Sequence, residues 1–258
     1  MRTWLLIFFI FLPNFVSARE CQWMNAGETL EYSIEYLHWD AGRMIITLYA
    51  DSINQCPVNK VYVDAKTRGI ASRLFRVNNQ YETCFTQQTF LPLTLHKWVT
   101  QKNIMQQRCT IFNHITLLAT IDSTQSWAIP ADTRDFFSML YFLRATEWDD
   151  TLRFHVDAER LLSQANAVHN GTELIKCCDE KMEVERIDMS FDALTDEERP
   201  WDTDLLTNRL SQPNSTMTIR ISTDDRRLPV KFEFHQSPFD LVMTLKAYKT
   251  NSVNHKPH

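Results

Sequence analysis

The chain has 258 residues, of which 44% are hydrophobic and 23% charged, and its formal net charge is −5. These values are typical of a globular protein and exclude an intrinsically disordered chain. Because the chain is mildly acidic and its composition indicates no polybasic cluster, we expect neither nucleic-acid binding nor a stable hold on an anionic membrane.

The first eighteen residues, Met1 to Ala18, have the layout of a secretory signal peptide. Arg2 supplies a positive charge, an uncharged apolar run follows, and Ala18 ends a stretch suited to cleavage. The apolar run is shorter than the roughly 20 residues that a membrane-spanning helix needs, so cleavage after Ala18 is favoured over an anchor. Lipid attachment at Cys21 is not expected, because Glu20 precedes it where a small residue is required.

Six cysteines follow the predicted cleavage site: Cys21, Cys56, Cys84, Cys109, Cys177 and Cys178. An even number in an oxidising compartment is typical of disulfides. The spacings match no zinc site, since no C-x-x-C is present. The sequence leaves the pairing open, and it equally allows that several are buried thiols.

Strands are predicted from Leu30 onward. Leu30 to Leu37 alternates apolar and polar residues, which is typical of a half-buried strand. A turn from His38 to Arg43, containing Asp40 and Gly42, joins it to a partner from Met44 to Ala50. Short connections favour antiparallel pairing. Five more strands are predicted: Val58 to Lys66, Gln80 to Phe85, Leu91 to Val99, Met105 to Phe112 and Ile115 to Ile121.

One helix is predicted to interrupt the strands, from Asp135 to Arg144, with Asp132 or Thr133 as its N-cap. Apolar side chains surround most of its circumference, and a helix of that kind is usually buried. We therefore expect it on the concave face of the sheet.

The second half of the chain gives weaker patterns. Strands are predicted at Leu152 to Val156, Thr172 to Cys178 and Met182 to Phe191, while Ala158 to Val168 is ambiguous between helix and strand. Asp192 to Pro213 is predicted to be a long surface loop that holds at most a short helical turn. Residues 19–250 are predicted to form a single β-rich domain, followed by a disordered tail, 251–258. Its last strands are Ser215 to Ser222, Leu228 to Gln236 and Phe239 to Lys249.

The sequence shows no catalytic or metal-binding constellation. Only four glycines are present, and neither H-E-x-x-H nor G-x-S-x-G occurs. The paired carboxylates Asp149-Asp150 and Asp224-Asp225 lie between apolar segments, where aspartate favours turns. We therefore predict no catalytic residue, metal or cofactor. A hydrolase is the least favoured alternative, because no group that would activate a nucleophile is visible in the sequence.

Four stretches in order resemble a bacterial family of exported proteins, catalogued as domain of unknown function 3108. They are Gly27 to Ile34 with Ala41-Gly42; Phe75-Arg76-Val77 with Gln80 to Thr83 and Leu91-Pro92-Leu93; Arg134 to Arg144, including Asp135, Ser138, Tyr141 and Arg144; and Ser222 to Val230. The chain departs from the pattern at Asp188 to Asn214, which resembles an insertion, and at Ser237-Pro238-Phe239. The resemblance implies a curved antiparallel sheet or half-barrel around one largely buried helix, similar to periplasmic lipoprotein carriers, and no catalytic residues.

Export and the resemblance together predict a periplasmic protein of the cell envelope. We expect an apolar ligand, such as a lipid acyl chain, between sheet and helix, since ligand pockets often lie inside such β structures. The alternative is a scaffold that engages an envelope protein through the loop Asp192 to Pro213. The helix residues predicted to line the ligand cavity are Phe136, Leu140, Tyr141 and Leu143.

Overall fold

The computed structural model describes residues 23–148, 151–195, 201–210, 215–235 and 240–250. The predicted signal peptide, Cys21, the pair Asp149-Asp150, the strand ends Gln236 and Phe239, and the tail 251–258 lie outside these ranges.

The first half of the chain forms eight strands and two single-turn helices. Helix α1 spans Trp23–Ala26 and α2 spans Ala71–Leu74. The strands are β1 Glu28–Tyr36, β2 Trp39–Ile53, β3 Cys56–Thr67, β4 Asn78–Thr86, β5 Pro92–Gln101, β6 Ile104–Asn113, β7 Leu118–Ile121 and β8 Gln125–Ala128.

The second half forms seven strands, with the helix α3 at Phe136–Ala145 and the short helix α4 at Leu205–Leu210. The strands are β9 Thr133–Arg134, β10 Thr151–Ala158, β11 Leu161–Cys177, β12 Glu180–Ala193, β13 Ser215–Ser222, β14 Pro229–His235 and β15 Leu241–Thr250.

All fifteen strands belong to one sheet, in the order β8-β7-β6-β5-β4-β3-β2-β1-β15-β14-β13-β12-β11-β10-β9. Neighbours are antiparallel except β9 and β10, which are parallel. The first and last strands pair in the middle, with Ile34 opposite Met243. This is the predicted mainly antiparallel sheet, and its edge strands β8 and β9 do not pair with each other.

The sheet curls until its two edges approach. The indole Nε1 of Trp127 on edge strand β8 donates to the carboxylate of Asp157 on β10 at 2.9 Å. Further in, Lys97 on β5 lies 2.7 Å from Glu159, which follows β10. Side chains rather than backbone ladders therefore bridge the gap.

Helix α3 fills the space that the curled sheet encloses. Phe137 contacts Tyr81 of β4, Phe136 contacts Phe234 of β14, and Phe142 contacts Phe154 of β10, with ring centroids 5.3, 6.0 and 5.5 Å apart. These strands lie far apart in the sheet order, so the sheet wraps around the helix. The prediction of a largely buried helix is confirmed.

The N-cap of α3 is Asp135, not Asp132 or Thr133 as predicted. Its carboxylate accepts hydrogen bonds from the backbone N–H groups of Phe137 and Ser138, and Ser138 Oγ accepts from the Asp135 N–H, which completes a capping box. Thr83 Oγ1 on β4 also donates to Asp135 at 2.8 Å. The cap therefore ties the start of the helix to the sheet.

The other end of α3 is fixed by a buried ion pair between Arg144 and Glu28 of β1, both fully buried. The Arg144 guanidinium also donates to the Arg227 carbonyl at 2.8 Å and lies 4.3 Å from the ring centre of Trp23. Arg227 in turn donates to the Arg144 carbonyl at 3.1 Å. Charge and hydrogen bonding from Glu28 outweigh burial and raise the pKa of Arg144, so it stays protonated.

Several predicted boundaries need correction. The first turn is at Leu37-His38, both at positive φ, so β2 already begins at Trp39 and Gly42 lies inside it. A Cβ at Gly42 would lie 2.6 Å from the Lys66 carbonyl oxygen, so the glycine permits a close approach of two strands and forms no turn.

Residues 115–117 form a turn rather than the start of a strand. The short strands β8 and β9 were not predicted, because their runs are too short to show a period. The ambiguous stretch from Ala158 to Val168 is mostly strand, as the beginning of β11.

Candidate functional site: an apolar cavity at one end of the sheet

One end of the curled sheet holds an open cavity of about 940 Å³. Its walls come from β1, β2, β3 and β15, from α2 and from α4. Ile34, Met44 and Met243 line it from the same face of the sheet that carries core residues such as Tyr32 and Leu245. The cavity is therefore a continuation of the hydrophobic core that α3 does not fill.

Small side chains leave this space open. Ala65 on β3 lies opposite Met44, and Gly42 lies opposite Thr67. Both small residues line the cavity, and Ala65 is at an inward position of its strand, where a larger side chain would occupy this space. The sequence thus provides volume at this end of the concave face.

The rim of the cavity exposes large apolar side chains. Leu74 on α2 is 81% exposed, Trp39 at the start of β2 is 65% exposed and Ile70 is 59% exposed. Three large apolar residues at one opening are more than the single exposed residues that scatter over most surfaces. The cavity therefore opens to solvent through an apolar mouth.

Helix α4 supplies the remaining wall, through Leu205 and Leu206. Its first residues are held by Asp204, whose carboxylate accepts from the backbone N–H of Leu206 at 3.0 Å and from Tyr81 Oη on β4 at 2.9 Å. Asp204 is fully buried. The predicted surface loop Asp192 to Pro213 is therefore wrong for this part of the segment, because Thr203 and Asp204 are inside the protein.

A buried lysine anchors Asp204. Lys97 on β5 is 2% exposed and its ammonium forms ion pairs with Asp204 and, at 2.7 Å, with Glu159. It also donates to Thr207 Oγ1 at 2.9 Å and to Thr203 Oγ1 at 3.1 Å. One cation thus joins β5, the β10–β11 turn and α4.

Electrostatics keep Asp204 ionised. Burial by itself raises the pKa of Asp204, but the charge of Lys97 and hydrogen bonds from Lys97 and Thr207 hold that pKa well below its usual range. Burial and the nearby Asp204 charge raise the pKa of Tyr81, so its hydroxyl keeps its proton and donates. The wall formed by α4 therefore depends on a charge contact beneath it.

The four helix residues predicted to bind a ligand lie elsewhere. Phe136, Leu140, Tyr141 and Leu143 are buried in the central core, and none of them lies on the wall of the cavity. The structure thus brings them together as packing around α3, while the open apolar space lies at one end. We therefore move the candidate ligand site to the cavity.

Burial makes the thiols of Cys109 and Cys177 weaker acids. Cys109 Sγ lies 3.7 Å from His96 Nε2, but burial and the Asp122 charge raise the pKa of the thiol, whereas a nucleophilic cysteine needs a lowered pKa. Burial and the Cys178 thiol raise the pKa of Cys177 to about 12. Cys56, Cys84, Cys109, Cys177 and Cys178 carry free thiols.

The described ranges hold neither a candidate metal site nor a candidate membrane-spanning helix. No group of three or more histidine, cysteine, aspartate or glutamate side chains there is arranged to hold a metal ion. No helix there is both long and apolar enough to cross a membrane.

Asp224, of the predicted turn pair Asp224-Asp225, forms a turn. Its carboxylate accepts from the backbone N–H of Arg226 at 3.2 Å and from Ser222 Oγ at 2.8 Å.

Among solved structures, the chain is similar to a β-barrel-like protein of domain of unknown function DUF1849 from Brucella abortus. The TM-score is 0.56 at 8% identity, over 87% of this chain and 97% of that chain, which shows a shared fold. A candidate lipoprotein from Parabacteroides distasonis matches over 90% of this chain and 100% of its own, with a TM-score of 0.38 and 7% identity.

No curated protein matches the sequence. The family model described as protein of unknown function (DUF3108) matches residues 31–246, which is most of the chain. The stretches that carried the resemblance are those that build the fold: Asp135 caps α3, Tyr141 and Arg144 lie in its buried face, and the hairpin from Ser222 to Val230 receives Arg144. The chain belongs to the DUF3108 family.

Proposed function

We propose that this protein binds an apolar ligand, such as a lipid acyl chain, in the cavity at the end of the sheet, and that it does so without catalysis. The observation that carries the proposal is an open space of about 940 Å³ lined chiefly by apolar side chains. Ligand pockets typically enclose 300–1,000 Å³ and are mostly apolar, so this cavity is at the large end of that range.

An acyl chain suits this space better than a compact polar ligand. The deep wall offers thioether and aliphatic groups, from Ile34, Met44 and Met243, which pack against methylenes without directional bonds. Each buried methylene contributes about 0.8 kcal/mol. The mouth beside Asp40 and Lys66 leaves room for a polar head group at the solvent side.

The site of action in this proposal is the periplasm. The support is the signal-peptide layout of Met1 to Ala18 together with membership of the DUF3108 family. In that compartment a protein with an apolar cavity would meet lipids and lipid-modified proteins of the envelope.

The test is a chain-length series. Saturated fatty acids of increasing length, titrated into the protein from residue 19 onward, should bind about 15-fold more tightly for each two added methylenes until the cavity is full. Native mass spectrometry of freshly purified protein should show bound lipid. The proposal is wrong if the affinity does not depend on chain length. It is also wrong if the purified protein holds no lipid and binds no fatty acid.

A matched pair of variants localises the site. Ala65→Phe adds a ring on the cavity wall, whereas Ala50→Phe adds the same ring at an exposed position of β2. We expect A65F to lose the tightest binding and A50F to bind like the parent protein, with thermal unfolding of both as the folding control. Equal binding by the two variants contradicts the assignment.

A further inference from the structure

The segment between β3 and β4, residues 68–76 and here called the mouth segment, combines basic and apolar side chains beside the cavity. Arg68, Arg73 and Arg76 alternate with Ile70 and Leu74, and no acidic residue occurs in it. All five side chains are exposed. The net charge of the whole chain does not reveal this local group of three arginines.

Backbone hydrogen bonds fix the mouth segment against the sheet. At its base, the Thr67 N–H donates to the Val77 carbonyl at 3.1 Å, and the Arg68 N–H donates to the Ala41 carbonyl at 3.0 Å. The N–H of Lys102, in the β5–β6 turn, donates to the Arg76 carbonyl at 3.1 Å. A fourth exposed cation therefore lies beside the three arginines.

In the part of the chain that the structure describes, no carboxylate forms an ion pair with Arg68, Arg73, Arg76 or Lys102, whereas the neighbouring Lys66 is paired with Asp64 at 2.7 Å. Asp40 is the acidic residue on the cavity wall. The mouth segment thus carries three arginines and no acid, in a chain whose net charge is −5.

The exposed apolar side chains point to the kind of partner. Leu74 and Ile70 belong to the mouth segment, and Trp39, across the opening, is an indole of the kind that favours the bilayer interface. Apolar side chains that enter the interface and cations that meet anionic head groups act together in peripheral membrane binding. A purely acidic protein partner would use the cations but would leave Leu74 and Trp39 in water.

We propose that the mouth end docks reversibly on an anionic lipid bilayer, with Leu74, Ile70 and Trp39 in the interface and Arg68, Arg73, Arg76 and Lys102 on the head groups. Docking in this orientation places the cavity opening against the bilayer. The proposal goes beyond ligand binding, since an empty or filled cavity leaves the docking surface intact.

The experiment is sedimentation of the mature chain with vesicles of phosphatidylcholine alone or mixed with phosphatidylglycerol. We expect binding to the mixed vesicles that weakens as salt is raised, and little binding to the neutral ones. Each cation near the surface contributes about fivefold in affinity, so Arg73→Gln/Arg76→Gln should bind about 25-fold more weakly. Leu74→Ser should also weaken binding.

Matched controls sit at exposed positions away from the mouth. Lys176→Gln/Lys181→Gln removes two cations beside the β11–β12 turn. The cavity lies at the opposite end of the strands, because Phe191 of β12 pairs with Ser215 of β13, and the pairing continues through β14 to Leu241 on the cavity wall. Ile115→Ser removes an apolar residue that is 94% exposed, from the turn after β6, whereas Lys102 precedes β6. Both controls should bind vesicles like the parent protein.

The outcomes separate the two proposals. Ala65→Phe should lose ligand binding and still bind anionic vesicles. A parent protein that binds anionic vesicles but takes up no fatty acid overturns only the cavity proposal. No binding to anionic vesicles, or equal losses in the mouth and control variants, overturns the docking proposal whatever the ligand titrations give.

Discussion

Substituting Arg144 by methionine should be among the most damaging single changes in this protein. The substitution keeps an apolar stem against Trp23 but removes the cation that faces Glu28 in a fully buried position. It also removes the donors to the Arg226 and Arg227 carbonyls, at 3.3 and 2.8 Å. Glu28 is left as an uncompensated buried charge.

Removing one partner of a buried ion pair costs about 3–5 kcal/mol. Folded domains have a free energy of unfolding of about 5–15 kcal/mol, so Arg144→Met should remove a large fraction of it. At this chain length 1 kcal/mol shifts the melting temperature by about 2–4 °C, which predicts a fall of about 6–20 °C. Neutralising the stranded acid in Glu28→Gln/Arg144→Met should recover part of the loss.

The assay is urea unfolding followed by circular dichroism. The slope of the unfolding free energy against urea concentration should be the same in the parent protein and the variants. Arg43→Met is the matched control. Arg43 pairs with Glu31 at 2.8 Å, but the two side chains are 40% and 34% exposed. Exposed pairs contribute about 0–1 kcal/mol. An Arg144→Met variant that unfolds at the same urea concentration as Arg43→Met would refute the reasoning.

Two further predictions concern the buried cluster under α4. Lys97→Met should leave Asp204 and Glu159 without their buried cation and lower the free energy of unfolding by about 3–5 kcal/mol. It should also raise amide hydrogen exchange at Leu205 and Leu206, whereas Lys60→Met, at a solvent-exposed pair, should change neither quantity. Unchanged exchange in α4 counts against the anchoring role. The lowered pKa of Asp204 gives stability that is present above its ordinary value of 3.8 and is lost as the pH falls toward the folded value. The stability gap between the parent protein and Asp204→Asn, measured by urea unfolding, should therefore be constant near neutral pH and narrow below 3.8; a gap that stays constant in acid contradicts this.

The strands and the buried helix were predictable because their signals are local. The alternation from Leu30 to Tyr36 and the apolar circumference of α3 are visible in single windows, and the fold keeps both. The turn at Leu37-His38 was misplaced because neither residue is a usual turn former, although both adopt positive φ. The N-cap was misplaced because Asp132, Thr133 and Asp135 can all cap a helix, and only the capping-box geometry distinguishes them.

The two clusters of buried ions leave a signal in the sequence. Glu28 is on the same strand face as Leu30 and Tyr32, because side chains two residues apart point the same way. Lys97 likewise shares a face with Leu95 and Val99. A charged residue in register with the apolar face of a strand indicates a buried ion. What the sequence cannot supply is the partner, because Asp204 and Arg144 lie far along the chain and meet these strands only when the sheet curls.

The cavity could not be predicted for a related reason. An empty space is set by what the neighbouring elements fail to fill, and this depends on where α3 ends and where α4 is held. The Glu28–Arg144 pair fixes α3 beneath the centre of the sheet, while Lys97 draws α4 onto β5 and β4 through Asp204. The apolar space lies at the end of β1 away from Glu28, with α4 as one of its walls. Since one of its walls is held by an ion pair as well as by packing, loss of the Lys97–Asp204 contact should change the width of the cavity before it unfolds the rest of the protein.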